Sequence, residues 1–286
     1  MRLLTVPNWS FGRSKLLLRA FEEILETRRL SIHYLKADVD HNRTVSAFSG
    51  EEDAVLEALM LMADQAFDAI DLNRHTGVHP RIGALDVCPF LPLDAPQEMA
   101  LPTVERLAAL LAARHGVPIY LYEKSERGRH EADLPSLRKG GFGGLLGRLL
   151  TPDFGPQFAH PRLGVTVMGI RDFLIAMNVN LRHASPIPAN EIARTIRRLR
   201  GEGDPRFLGV RALGFALGSR EMSQVSMNLT LPDLTPVDPI VEWIRVEASN
   251  YGTTIRGTEL IGVIREKDLP TSTHLRVKDP QIIGGM

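Results

Sequence analysis

From Asp71 to Phe90 the chain gathers side chains able to do chemistry: Asp71, Arg74, His75, His79, Arg81, Asp86 and Cys88, spaced by Gly77, Pro80, Gly83 and Pro89. Three chemistries fit. His75 and His79 stand four apart, the spacing by which a helix offers two imidazoles to one metal ion. Gly77 and Pro80 disfavour a helix there, and the glutamate of zinc-protease motifs is absent, so no metal is expected. In the second reading both histidines bond backbone carbonyls and the arginines pair with acids; for His75 that reading stays open. In the third, one histidine moves protons while arginine orients an anionic substrate. Imidazole titrates near neutral pH, and guanidinium grips a carboxylate through two parallel bonds. That pairing suits group transfer.

The run needs a scaffold on both sides. Residues 52–70 are rich in alanine, leucine and methionine with no glycine or proline, which predicts a helix before it; residues 81–93 predict a strand after it. Upstream, residues 3–7 read as a strand ended by Pro7, and residues 8–13 as a loop. Ser14 caps a helix carrying Leu17, Leu18, Phe21, Ile24 and Leu25 at helical spacing. Strands are predicted over 31–37 and 44–48 around a polar connection. Downstream come a helix over 101–115 and a strand over 118–122. Residues 124–164 have no period and hold Gly140, Gly141, Gly143 and Gly144, the pattern of a flexible or ligand-covering segment.

From Phe173 the alternation restarts: a strand to 181, a helix over 189–199, strands over 210–217 and 223–229, a helix over 237–250 and a strand near 260–264. Ile240, Val241, Trp243 and Ile244 read as core. The order is βαββαβ, the split unit of ferredoxin-like sheets, and the first half begins the same way. The expected fold is α/β (α+β): two ferredoxin-like subdomains, 1–180 and 181–286, each a mixed sheet covered by helices, with a cleft between them.

Composition narrows the class. The 286 residues carry 34 basic and 34 acidic side chains, so no nucleic acid is expected as partner. One cysteine excludes an internal disulfide framework and fits a reducing compartment. The N-terminus lacks the apolar core of a signal peptide, and no run approaches the roughly 18 apolar residues of a membrane span. A cytoplasmic protein, with no membrane association, is expected, and a homodimer is the assembly to expect first, dimers being the commonest among soluble oligomers.

The run His75-Thr-Gly-Val-His79-Pro-Arg-Ile-Gly-Ala-Leu-Asp-Val-Cys-Pro-Phe90 resembles the signature of the glutamate formiminotransferases, folate enzymes of histidine breakdown. Val6-Pro-Asn-Trp-Ser10, Asn42-Arg-Thr44, Val117-Pro-Ile-Tyr-Leu-Tyr122, Leu134-Pro-Ser-Leu-Arg138, Asp153-Phe-Gly-Pro156, Gly164-Val-Thr-Val-Met-Gly169, Phe173-Leu-Ile-Ala-Met-Asn-Val-Asn-Leu181 and Gln224-Val-Ser-Met-Asn228 agree in order. The resemblance implies that His79 is catalytic and that folate lies in the groove between two α/β subdomains. It implies that Gly155, Pro156, Gln157, Phe158, Ala159, His160, Pro161, Arg162, Leu163 and Gly164 contact the folate. The implied reaction moves the formimino group of N-formimino-L-glutamate to N5 of tetrahydrofolate, a co-substrate, with no metal. Arg43 and Arg81 are the candidates for the glutamate carboxylates; a structural ion pair is the competing role for each.

The sequence departs from the family pattern in places. Trp9 and Phe11 stand where the family has Phe and Glu, and Lys36 stands where it carries an aspartate thought to share in proton transfer. Lysine replaces a carboxylate as proton acceptor only if its pKa falls far, so Asp38 and Asp40 become the candidate assistants, against a plain solvated-loop role. No cyclodeaminase domain follows, so the product is expected to pass to a separate cyclodeaminase. The rivals are formyl transfer between 5-formyltetrahydrofolate and glutamate in the same pocket, a folate-binding relative without catalysis, and, last, an RNA-binding module. Of the other histidines, His41 beside Asn42 and Arg43 is the next to test; His33, His115, His130 and His183 show no partner pattern.

Overall fold

The computed structural model describes residues 1–285, and the chain divides into two compact units, Met1–Arg171 and Asp172–Met286.

In the first unit β1 (Arg2–Thr5) and β2 (Asn8–Trp9) form one strand path interrupted at Pro7, which has no N–H to give the ladder. Then follow α1 (Lys15–Glu26), β3 (Ser31–Asp38), β4 (Arg43–Glu51), α2 (Glu52–Ala69), β5 (Leu85–Pro92), α3 (Leu101–His115), β6 (Ile119–Leu121), α4 (Leu134–Leu137) and β7 (Thr166–Ile170). The β1/β2 path lies between β4 and β5, antiparallel to both, with β3 outside β4. These elements alone make a ferredoxin-like βαββαβ unit. Beyond β5 the sheet continues in parallel through β7 to β6. The sequence reading lacked β7, because all five of its residues are buried and a wholly buried strand shows no alternation.

Leu17, Phe21 and Leu25 of α1 recur every fourth residue and pack, with α2 and α3, against Leu3, Trp9, Phe48 and Phe90 of the sheet. Ser14 Oγ accepts the Leu17 N–H at 3.2 Å, the predicted cap. Phe21 meets Trp9 and Phe11 edge-on at 4.9 and 5.1 Å, so the two positions that depart from the family pattern serve this core. Burying one such ring contributes about 1.5–3 kcal/mol.

The other face of the sheet carries a smaller core: Val87, Tyr120 and Val167 against Leu145, Leu150 and Ala159. Residues 124–164 are therefore packed in part, which corrects the reading of a flexible stretch. Their apolar anchors are too scattered to make a period.

The second unit comprises β8 (Ile175–Leu181), α5 (Ile187–Gly201), β9 (Val210–Leu217), β10 (Met222–Leu229), α6 (Val237–Asn250), β11 (Ile255–Ile261), β12 (Ile264–Arg265) and β13 (Ile282–Ile283). Its main sheet runs β11-β8-β10-β9, antiparallel throughout, the ferredoxin-like order. Ile192 and Ile196 of α5 and Ile240, Val241 and Ile244 of α6 are buried, and Trp243 packs edge-on against Phe207 at 4.9 Å. Two boundaries move from their expected places. β8 is an inner strand of this sheet, so the division falls at 171/172 rather than 180. The last long strand is 255–261 rather than 260–264, because a register shift between Ile255 and Gly257 blurs its alternation.

Candidate active site

Three loops of the first unit meet around Asn42: residues 10–13 after β2, 38–43 between β3 and β4, and 71–81 after α2. Asn42 takes a left-handed conformation, φ 45°, which its short amide side chain tolerates. Its Oδ1 accepts the Gly12 N–H at 2.8 Å, its Nδ2 donates to the Thr76 carbonyl at 3.0 Å, and its own carbonyl faces His75 Nε2 at 2.9 Å. Arg13 adds bonds to the Val39 carbonyl at 3.1 Å and Thr76 Oγ1 at 2.9 Å, and the Val78 N–H donates to the Asp40 carbonyl at 3.1 Å. Gly77 is required here: a Cβ at that position would lie 2.3 Å from the His41 carbonyl oxygen.

His79, half-buried at the end of this knot, has Arg43 Nη1 at 3.0 Å from its Nε2 and the Pro80 carbonyl at 2.8 Å from its Nδ1. A guanidinium only donates and a carbonyl only accepts, so the ring is neutral, with its proton on Nδ1 and its lone pair on Nε2. Burial and the charges of Arg43 and Arg138 hold its pKa well below the usual imidazole value, and the His41 ring, 5.8 Å away, adds to this. Burial and the neighbouring Arg138 also lower Arg43 to about 10, still protonated at neutral pH.

His75 and His79 do not converge on a common point. His75 Nε2–H donates to Asn42, its Nδ1 faces the Arg81 guanidinium, and burial together with Arg81 brings its pKa to about 4. Arg81 commits Nη1 to that ring and Nη2 to the carbonyls of His79 and His41, the latter at 3.2 Å. These two residues shape the loop. Cys88, in the same run, is buried beside Thr5, and burial pushes its thiol up to about 12, so it supplies no thiolate.

Asp38 faces Arg43 across the β3–β4 ladder, and its Oδ1 accepts the His41 N–H at 2.8 Å. Lys36, two residues earlier on β3, is exposed. Asp40 accepts the Val78 N–H through its backbone carbonyl. Sequence reasoning missed Arg138 and Asp86 as partners. Asp86, 3 % exposed, accepts the Ile82 N–H at 2.7 Å and the Arg138 guanidinium. Arg138 Nε is buried with no acceptor among the described residues. The only signal for Arg138 was its place in the Leu134-Pro-Ser-Leu-Arg138 match. Arg43, Arg81 and Arg138 together make the surroundings of His79 cationic.

Residues 155–164 behave as two parts. From His160 onward the chain is bound into the scaffold: His160 and Gly164 exchange backbone hydrogen bonds at 3.0 and 2.9 Å, and His160 Nδ1 accepts the Arg162 and Leu163 N–H groups, each at 3.1 Å. Arg162 donates to the carbonyls of Phe67, Asp68 and Ile70 at the end of α2. Pro161 gives its carbonyl to Asn73 at 2.9 Å, while Ala159 and Leu163 are buried. Gly155, Pro156, Gln157 and Phe158 are exposed, Phe158 by 55 %.

The arrangement offers a neutral base, a cluster of cations and an open glycine-bearing strip. Residues 2–171 match the model of the formiminotransferase domain, N-terminal subdomain, and residues 176–282 that of the formiminotransferase domain. The chain is 33 % identical to a glutamate formimidoyltransferase of Streptococcus pyogenes serotype M1, covering 96 % of this chain and 93 % of that one. It is 34 % identical to a glutamate formimidoyltransferase of Thermoplasma acidophilum, covering 92 % and 88 %. It is also 34 % identical to a formimidoyltransferase-cyclodeaminase of Gallus gallus over 97 % of this chain and 52 % of that one, so it spans about half the length of that relative. On two domain matches and full-length similarity, the chain belongs to the formiminotransferase family.

Proposed function

We propose that the protein transfers the formimino group of N-formimino-L-glutamate to N5 of tetrahydrofolate, releasing L-glutamate. The observation that carries this reading is the state of His79: neutral, fixed at Nδ1 by Pro80, with the Nε2 lone pair facing Arg43.

N5 attacks the formimino carbon to give a tetrahedral intermediate, and the bond from that carbon to the glutamate nitrogen then breaks. N5 must lose a proton and the leaving nitrogen must gain one. His79 Nε2 takes the first and returns it, so the imidazole ends as it began. In the free protein Arg43 occupies that lone pair. A donor carboxylate draws Arg43 away and frees the base only when substrate is present. Arg138, with its buried Nε awaiting an acceptor, is the second carboxylate ligand, in place of Arg81. Asp38 supports the site by holding the His41 backbone and facing Arg43. Residues 155–158, the exposed part of the segment, are the strip for the folate. The reaction runs in the cytoplasm, and its product goes on to a cyclodeaminase.

The test is an assay with formiminoglutamate and tetrahydrofolate, run beside 5-formyltetrahydrofolate with glutamate, on the wild type and His79→Ala. The variant should keep folate affinity and lose about 10²–10⁴-fold in turnover. Unchanged turnover removes His79 from the mechanism.

A further inference from the structure

His130 shows no partner pattern in the sequence, yet it is one of the most tightly held histidines in the first unit. Its side chain is 7 % exposed; Nε2 lies 2.8 Å from Asp153 Oδ2 and Nδ1 lies 2.9 Å from the Glu131 carbonyl. Both partners only accept. A neutral ring carries one proton and would set its lone pair against one of these oxygens, so the geometry asks for the doubly protonated imidazolium.

The surroundings agree. The Glu126 carboxylate accepts the N–H groups of Gly128, Arg129 and His130 at 2.7, 2.6 and 3.1 Å, a turn that delivers His130 to Asp153. Tyr120 meets the ring edge-on at 4.7 Å, and Arg129 stands 3.9 Å from the other Asp153 oxygen. Burial opposes the charge on His130, but the bonds to Asp153 and Glu131 outweigh it and raise the pKa.

Asp153 passes the constraint on. The carboxylate oxygen that meets His130 also accepts the Leu121 N–H at 2.7 Å, and the next residue, Phe154, exchanges backbone bonds with Ile119 at 2.9 and 3.2 Å. These contacts fix the start of the exposed strip 155–158 against β6, as the His160–Gly164 turn fixes its end. We infer that His130 is a positioning residue: its imidazolium, acting through Asp153, holds the folate strip in its binding shape, so that folate affinity is linked to one proton on a side chain that does not touch the folate. This rests on the assignment of the strip under Proposed function.

The experiment measures Kd for 5-formyltetrahydrofolate from pH 6 to 9 in the wild type, His130→Gln and His130→Arg. In parallel, amide hydrogen exchange over residues 153–164 is compared between proteins at each pH without ligand. Expected is a wild-type Kd that rises about tenfold at alkaline pH, the size of one lost charge-assisted bond. His130→Gln should bind weakly with a flat profile and His130→Arg tightly with a flat profile, kcat at saturating folate being similar in all three. Exchange over 153–164 should be slower in the wild type than in His130→Gln at pH 6 and equal to it at pH 9. Superposed wild-type and His130→Gln profiles overturn the inference. A wild type that binds no folate at any pH overturns the proposed function instead, and the exchange comparison still decides whether His130 orders the strip.

Discussion

Arg43 Nη1 sits 3.0 Å from His79 Nε2, a cation donating to the one lone pair the imidazole has left. The contact both lowers the basicity of the ring and occupies it. Arg43→Met should therefore raise the pKa of His79 and move the acidic limb of the kcat/KM profile to higher pH, because more of the enzyme is then in the inactive imidazolium form. Turnover at neutral pH should fall by at least about tenfold. An unshifted limb would separate Arg43 from the acid–base step.

Arg81 and Arg138 should part company under mutation. Arg81→Lys removes a planar fork that satisfies His75 and two carbonyls, and should cost about 1–3 kcal/mol in urea unfolding with little change in KM for formiminoglutamate. Arg138→Lys keeps a positive charge beside Asp86 but loses the Nε–H, and should raise that KM about tenfold at unchanged stability. The opposite pattern would return Arg81 to the substrate.

Stability should peak near neutral pH. His75 and His79 are depressed below the usual 6.5, so the stability they confer as neutral rings is present above 6.5 and is lost as pH falls, toward about 4 for His75. His130 is raised, so its share is present below 6.5 and is lost as pH climbs through its folded value. His75 is only half-buried, and solvent screening limits its part to about 1 kcal/mol. Urea midpoints at pH 5, 7 and 9 check this, with His75→Gln expected to weaken the loss on the acid side.

Gly164→Ala places a Cβ 2.0 Å from the Ile82 carbonyl oxygen at a φ of +72°, and should cost roughly 2–4 kcal/mol. Gly116→Ala, at φ +64° but with open space around it, should cost only about 1 kcal/mol. Thermal melts of the two variants distinguish contact from backbone strain alone.

The second unit was readable because apolar and polar residue types alternate in Met177-Asn-Val-Asn-Leu181 and Val225-Ser-Met-Asn-Leu229, and the order of strands and helices could be followed along the chain. β7 could not be found, being buried on both faces, and the packing of residues 124–164 depends on isolated leucines that no window of sequence joins. In the candidate site, family motifs pointed to His79 and Arg43, but the separate fates of His75 and His79 came from which oxygen or guanidinium each meets. The Arg138–Asp86 pair spans 52 positions and the His130–Asp153 pair 23. Long-range pairs like these show in no single window of sequence, since only the folded chain brings the two partners together.

Asn42 binds loops drawn from positions 12, 42 and 75–76, so they cannot rearrange independently: shifting one strains an amide shared with the others. The orientation of the imidazole is thus set by a joint some distance along the chain, and a lesion at Gly12 or Thr76 would be read out as a misdirected base on an otherwise intact protein.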